Sequence, residues 1–298
     1  MTALRRLARP LIAAAAALGL LAGCGAPQSA GPSTGAAAQF EQRQAQNLVA
    51  EMRRKNLLVE DPRLMGYIGG ITRKIEAQRP DGVPPLQVHL VRDADVNAFT
   101  PGAGYVFFNA GMLAALENES QFAMVLAHEA AHVDLGHVAQ GAQARRSAGV
   151  GAALAQIGLM ALGAPAELAQ AGVGLGAQAY VADFTRDQET EADAAGFRYH
   201  AAAGYDSAAG AESFSVLRRL YGDRDALSQF FATHPQSAER RELLQRMAAR
   251  EGRSGGRVGE AEWLRATEEL RRQAHRHYVQ AGRRPEARQT AALLDRTR

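Results

Sequence analysis

His128-Glu129-Ala130-Ala131-His132 combines two imidazoles and a carboxylate at a spacing that can do chemistry. On a helix, residues four apart stand one turn apart on the same face, so both imidazoles can reach one metal ion. Glu129 sits beside the first histidine, within reach of a water on that ion but not aimed at the ion. This is the H-E-x-x-H arrangement, two zinc ligands and one general base. Zinc lowers the pKa of bound water from about 16 to about 7, so a carboxylate can generate hydroxide at neutral pH. A chance match among eight histidines would fall on an exposed helix. Here Phe122, Val125, Leu126 and Val133 argue for a buried helix, where ionisable side chains need partners.

A catalytic zinc of this kind takes a third protein ligand and keeps a fourth position for water. The favoured source is Arg186-Asp187-Gln188-Glu189-Thr190-Glu191-Ala192-Asp193-Ala194-Ala195-Gly196. On a helix Glu189 and Asp193 share a face. Glu189 can bind the zinc, while Asp193 accepts the outer N–H of a ligating histidine and fixes its tautomer. Glu191 points elsewhere and reads as a solvated charge. An acidic helix start is commonplace by itself; its pairing with the upstream motif is what singles this one out.

The elements that must hold these residues make an α+β chain, predominantly helical. Asn118-Glu119-Ser120 can cap the helix that carries the histidines. Helical patterns run from Gln39 to Lys55 and from Pro62 to about Gln78, before Pro80, Gly82, Pro84 and Pro85 break the chain. Leu86–Val91 alternates with period two and predicts a strand; Tyr105–Phe108 predicts another after the turn-rich Thr100–Gly104. Beyond Asn109 nearly everything is helical by composition. Residues 148–179 are rich in Ala and Gly, and Ala148 to Pro165 carries no charge. Gly149, Gly151, Gly158 and Gly163 lower helix propensity and hydrophobicity there. A close-packed helical hairpin is the expected form, with a membrane span or a membrane-facing flap as alternatives. The C-terminal segment, 251–298, is charged and helical. Tyr278, Gly282, Ala287, Ala291 and Leu294 fall at spacings like a single tetratricopeptide unit, or an ordinary hairpin, that docks on the preceding domain or meets a protein partner.

Arg5, Arg6 and Arg9 precede an uncharged run from Leu11 to Leu21, too short to span a bilayer comfortably, in the order of a secretory signal peptide over residues 1–23. Leu21-Ala22-Gly23-Cys24 resembles the lipobox of bacterial lipoproteins, which implies acylation of Cys24 and anchoring in a lipid bilayer. A plain signal peptide with an incidental cysteine is the alternative. Gly25, where Asp is absent, resembles outer-membrane sorting, and residues 24–38 read as lipidated cysteine plus flexible tether. Cys24 is the only cysteine, so the chain holds no internal disulfide. Losing three arginines takes the 34 Lys and Arg to 31, level with the 31 acidic residues. No concentrated basic face is left for nucleic acid. The 298 residues, 47% hydrophobic and 22% charged, suffice for one generous core with appendages or two small domains.

His128-Glu129-Ala130-Ala131-His132, then Gly136-His137, then Glu189-Thr190-Glu191-Ala192-Asp193 resemble the M48 family of zinc metallopeptidases, over about residues 40 to 250. The resemblance implies a zincin-like metallopeptidase domain over 39–250 with one Zn2+ per chain. It also implies His128, His132 and Glu189 as ligands, Glu129 as general base and Asp193 as their support. The lipobox and the lack of clear membrane spans place the chain nearer the family's periplasmic members. Asn97-Ala98-Phe99-Thr100-Pro101-Gly102-Ala103-Gly104-Tyr105 resembles the strand beside the family's active site, with Ala103 in place of a common glycine, a departure expected to matter little. Asn97, Gly104 and Tyr105 are therefore candidates for a substrate-binding edge strand, or for a purely structural hairpin. Thr233-His234-Pro235, followed by Arg240, resembles a further family stretch. It implies that His234 approaches the metal and holds the enzyme latent, or that His234 or Arg240 stabilises the oxyanion; a salt-bridged helix charge is the plain alternative for Arg240. His137 reads as structural or supporting. His89, His200, His275 and His277 sit in no motif.

Two functions stay open. One is a zinc endopeptidase acting on unfolded or misassembled envelope proteins, anchored at the outer membrane and facing the periplasm, the substrates being implied by the family alone. The other is an envelope assembly factor with a latent or structural zinc site. Glu129 has no role in a structural site and favours the enzyme.

Overall fold

The computed structural model describes residues 31–147, 184–221, 234, 238–250 and 254–297. The expected signal peptide, Cys24 and the 148–179 hairpin lie outside the described residues. The helices are α1 (Gly35–Arg54), α2 (Pro62–Glu76), α3 (Ala110–Ala115), α4 (Glu119–Asp134), α5 (His137–Ser147), α6 (Arg186–Ala202), α7 (Ser207–Tyr221), α8 (Ala238–Arg250), α9 (Glu260–Ala266), α10 (Glu268–Gln280) and α11 (Arg284–Asp295). Strands β1 (Gln87–Val91), β2 (Ala98–Gly102) and β3 (Tyr105–Asn109) form a sheet in the order β1-β3-β2, with β1 parallel and β2 antiparallel to β3. The α+β, mainly helical expectation therefore holds. Among the described residues no helix is long and apolar enough to cross a membrane.

Several boundaries differ from expectation for physical reasons. Helix α1 begins at Gly35, inside the stretch read as a tether, and Ser33 Oγ just ahead of it donates to Glu41 Oε1 at 2.6 Å. The Thr100–Gly104 turn is instead largely strand β2. Pro101 is tolerated because β2 lies at the sheet edge and its register is irregular between Phe99 and Gly102, so a missing N–H breaks no ladder. The substrate-strand candidates fall in and beside this hairpin. Tyr105 lies in the central strand, paired with Gln87 on one side and Gly102 on the other. Gly104 has φ +83°, and a Cβ there would come within 2.1 Å of Pro85 O. Asn97 is buried and its carbonyl accepts from Asn109 N at 3.0 Å. All three hold the hairpin together, and the edge is β2. Ala103 has φ +51°, so its departure from glycine places a Cβ in the left-handed region, at a cost of about 1 kcal/mol.

Helix α4 is buried along its whole length between the sheet, α2, α6 and α7. A helix enclosed on all sides needs no polar face. Its sequence supplies none except at the ends and at the motif. Phe122 stacks on Trp263 at 5.1 Å and meets Phe108 at 4.7 Å, joining α4 to the sheet and to α9. The C-terminal helices thus share the main core and do not stand apart. Trp263 Nε1–H donates to Leu116 O at 2.9 Å and the Tyr278 hydroxyl to Ala94 O at 2.6 Å. Buried Arg271 donates to Ala114 O, Leu264 O and Thr267 Oγ1.

Ion pairs grip both ends of α4. Near its C-terminus Arg79 makes two hydrogen bonds to Asp134, at 3.1 and 2.6 Å. In its first turn Glu119 accepts from Arg257 at 2.7 and 2.8 Å, from the Tyr67 and Tyr205 hydroxyls at 2.6 and 2.9 Å, and from Lys74 at 3.2 Å. Burial alone pushes the Glu119 carboxyl upward, but these donors outweigh it and bring it to about 2, against an ordinary value of 4.5.

A carboxyl depressed in the folded state adds stability above its unfolded pKa, and that stability is lost as pH falls through the folded value. Glu119→Gln should therefore be less stable than wild type by about 2 kcal/mol at pH 7, after allowance for the half-exposed Arg257. Urea unfolding at a series of pH values should show that gap narrowing between pH 4.5 and about 2. A gap independent of pH would refute the electrostatic assignment. Ala103→Gly should stabilise the chain by about 0.5–1 kcal/mol in the same assay, because glycine relieves the left-handed strain.

Candidate metal centre

Two capped helices build the site. Asn118 Oδ1 accepts from Gln121 N at 2.9 Å and starts α4, which then runs to Asp134 without Gly or Pro. Thr185 and Gln188 form a reciprocal capping box at the start of α6, at 3.2 and 3.0 Å. The helices cross closely because α6 presents Ala192, Ala195 and Gly196 at the contact. A Cβ on Gly196 would lie 2.8 Å from His128 N and 2.9 Å from Ala127 O. That approach lets Glu189, near the start of α6, reach the histidines of α4.

His128 Nε2 and His132 Nε2 stand 3.0 Å apart. Glu189 Oε1 lies 3.3 Å from His132 Nε2, and Oε2 3.6 Å from His128 Nε2. His234 Nδ1 is 3.3 Å from His128 Nε2 and 2.9 Å from Glu189 Oε1. These four residues are buried, and their donor atoms lie within 4.8 Å of one another, a group that can hold a metal ion. Glu129 is fully buried beside them. Among the described residues its oxygens find no hydrogen-bond partner, and His234 Nε2 is 3.3 Å from Oε1 outside hydrogen-bond geometry.

Behind these atoms, His128 Nδ1 faces Asp193 Oδ1 at 3.0 Å. Arg240 grips Asp193 through Nε at 2.6 Å and a terminal nitrogen at 2.8 Å, while its other terminal nitrogen contacts Glu189. Of the two expectations for Arg240, these contacts are those of a salt-bridged helix charge: each of its nitrogens is turned to a carboxylate. Glu191 also departs from expectation, because its carboxylate lies 3.2 Å from His137 Nε2. Glu191 is partly exposed there, with its carboxylate turned toward the first residue of α5. Phe184, which carried no motif, stacks on the His132 ring at 3.7 Å. Asn97, Gly104 and Tyr105 take no part in the cluster.

Burial shifts the groups in opposite directions. It raises Glu129 above the usual carboxylate range. At Glu189 it is outweighed by His234, His132 and Arg240, which hold the carboxylate well below that range. Burial drives His132 strongly toward the neutral imidazole, the form that can donate a nitrogen lone pair to a metal. At His234 burial is outweighed by Glu189 and Glu129, which raise it. Three carboxylates, Glu129, Glu189 and Asp193, face one guanidinium. A divalent cation brings the sum to zero with the imidazoles neutral. The imidazole and carboxylate donor set and the unsatisfied Glu129 oxygens therefore fit such an ion.

Gly196→Ala should push α6 away from α4 and move Glu189 and Asp193 out of reach. A loss of divalent-metal affinity of at least about tenfold, with about 1–3 kcal/mol of destabilisation, is expected by chelator competition and thermal melting. Unchanged affinity would show that the close crossing does not set the site.

The sequence model of peptidase family M48 matches residues 68–248. A Vibrio cholerae protein assigned as a beta-barrel assembly-enhancing protease is 34% identical over 197 residues, 63% of this chain and 40% of that protein. The beta-barrel assembly-enhancing protease of Yersinia pestis is 30% identical over 207 residues, 66% and 42% of the two chains. The metalloprotease LoiP of Escherichia coli is 33% identical over 168 residues, 55% and 64%. The chain thus spans about two-fifths of the length of the first two relatives. The family match covers more than half of this chain and takes in both helices of the buried cluster, together with His234 and Arg240. With its mainly helical α+β fold and its H-E-x-x-H helix, the chain belongs to peptidase family M48, a family of metallopeptidases.

Proposed function

We propose that this chain is a zinc endopeptidase that cuts unfolded or misassembled proteins of the cell envelope, held to the membrane through acylated Cys24. The observation that carries the reading is Glu129, a fully buried carboxylate without a hydrogen bond, placed beside a histidine and glutamate donor set. A purely structural metal site has no use for such a group.

His128 Nε2, His132 Nε2 and a Glu189 oxygen would hold the zinc. When bound, zinc supplies Lewis acidity, polarising the scissile carbonyl and acidifying water. Asp193 stands 3.0 Å from His128 Nδ1, where it would orient that ring, and Arg240 holds both carboxylates in place. Glu129, raised by burial, is a suitable base near neutral pH. It takes a proton from the attacking water as the new carbon–oxygen bond forms, then passes it to the leaving nitrogen as the carbon–nitrogen bond breaks. The edge strand β2 packs beside α4, and a substrate backbone that paired with it would gain affinity with loose sequence preference. His234 is a fourth possible donor beside the other three, an arrangement that would suit a latent enzyme. The membrane face is proposed to be the periplasmic side of an outer membrane, and the C-terminal helices a surface open to a protein partner.

The same His234 geometry favours a second reading. Four protein ligands close a zinc site, as in structural centres, and two relatives are named for enhancing beta-barrel assembly. An assembly factor would then keep its function without hydrolysis.

Casein cleavage and zinc content separate these readings. We expect about one zinc per chain, cleavage reduced at least about a thousandfold in Glu129→Gln with zinc retained, and cleavage several-fold faster in His234→Ala. Zinc without cleavage in every variant would favour the assembly factor, and a chain that binds no zinc would end the metal reading.

A further inference from the structure

The turn after α4 brings a histidine back beneath the motif. Gly136 has φ +68°, the left-handed conformation that commonly ends a helix. It reverses the chain so that His137, the first residue of α5, lies against His132. His137 is completely buried, and both of its nitrogens are engaged. Its Nδ1 is 2.9 Å from His132 Nδ1, and its Nε2 is 3.2 Å from Glu191 Oε2.

We propose that His137 and Glu191 are positioning residues that fix the tautomer and ring plane of His132 and thereby set the affinity of the metal centre. The inference rests on the reading of His128, His132 and Glu189 as ligands. If His132 offers its Nε2 lone pair to a metal, its hydrogen must sit on Nδ1. That hydrogen points at His137 Nδ1, which must then be a lone pair. The hydrogen of His137 is left on Nε2, facing the Glu191 carboxylate. The two distances thus define one direction for the chain of donors, from His132 through His137 to Glu191. The His137 ring meets His132 at 69° and 5.0 Å, while Phe184 stacks at 3.7 Å and 20°, so the ligand ring is confined by both neighbours.

The arrangement differs from the one behind His128. There the facing carboxylate, Asp193, is buried and gripped by Arg240. Here the carboxylate lies two bonded rings away, and its side chain is 38% exposed. A space-filling role alone would be served by any apolar side chain at position 137. It does not explain two nitrogens aimed at a ligand and a carboxylate.

The test measures zinc affinity of the full chain by chelator competition, with melting curves to confirm folding, alongside nitrogen-15 NMR of the histidines in the zinc-loaded protein. His137→Phe should weaken zinc binding about 10–100-fold, as loss of such partners does elsewhere. His137→Asn, whose amide oxygen can occupy the place of Nδ1, should recover most of that loss. Glu191→Leu, at a half-exposed position, should weaken binding by about tenfold. NMR should find His137 as the Nε2–H tautomer and His132 protonated at Nδ1. Wild-type affinity in both His137→Phe and Glu191→Leu, or an Nδ1–H tautomer at His137, overturns the proposal while leaving the ligand assignment intact. Wild type that binds no zinc overturns the ligand assignment and the proposal together. If His137→Phe does not fold, Glu191→Leu and the tautomer decide.

Discussion

Glu129, Glu189 and Asp193 occupy one buried space, and a carboxylate removed from water must find a counter-charge, a donor or a proton. Arg240 answers for two of them, reaching Asp193 with two nitrogens and Glu189 with the third. Glu129 is left with burial as the dominant influence. A divalent ion at the histidine and glutamate cluster would complete the balance. The arrangement makes chemical sense only as a set: removing one partner would strand charge in the interior, which is far costlier than losing a contact at the surface.

Holding that set requires two helices closer than side chains normally allow. The crossing of α4 and α6 is made of alanines and one glycine, and Gly196 meets the α4 backbone directly. Helix α4 is pinned at both ends, Glu119 to charged and hydroxyl groups from α2 and the later chain and Asp134 to Arg79 just after α2. The C-terminal helices, joined through Trp263, Tyr278 and Arg271, close the far side of the same core. Stability and function are thus coupled through one rigid helix.

Legibility in the sequence followed the range of the interaction. The helix with the histidines, its Asn118 cap, the face shared by Glu189 and Asp193, and strands β1 and β3 are all local patterns, and the structure has them within a residue or two. Strand β2 was hidden by Pro101, since an edge position is a tertiary property. Ala103 looked like a harmless replacement until its positive φ was known. Glu191, read as a solvated charge, is partly exposed but faces His137, and which carboxylates Arg240 would pair with was equally hidden, because the element packed against a helix charge is not a local property.

By itself the sequence determined which atoms were available: two imidazoles one turn apart, a base beside the first, and a carboxylate pair on a second capped helix. Helical periodicity is enough to set those relations, because it is fixed by backbone geometry within a few residues. Only the tertiary structure decided that Arg240 is turned to Asp193 and Glu189, that His234 stands against His128 and Glu189, and that Glu191 reaches His132 through His137. Each of these depends on helices far apart in the chain meeting at a particular distance and angle, and those are set by small residues and buried charges acting together. No local pattern in the sequence encodes that geometry.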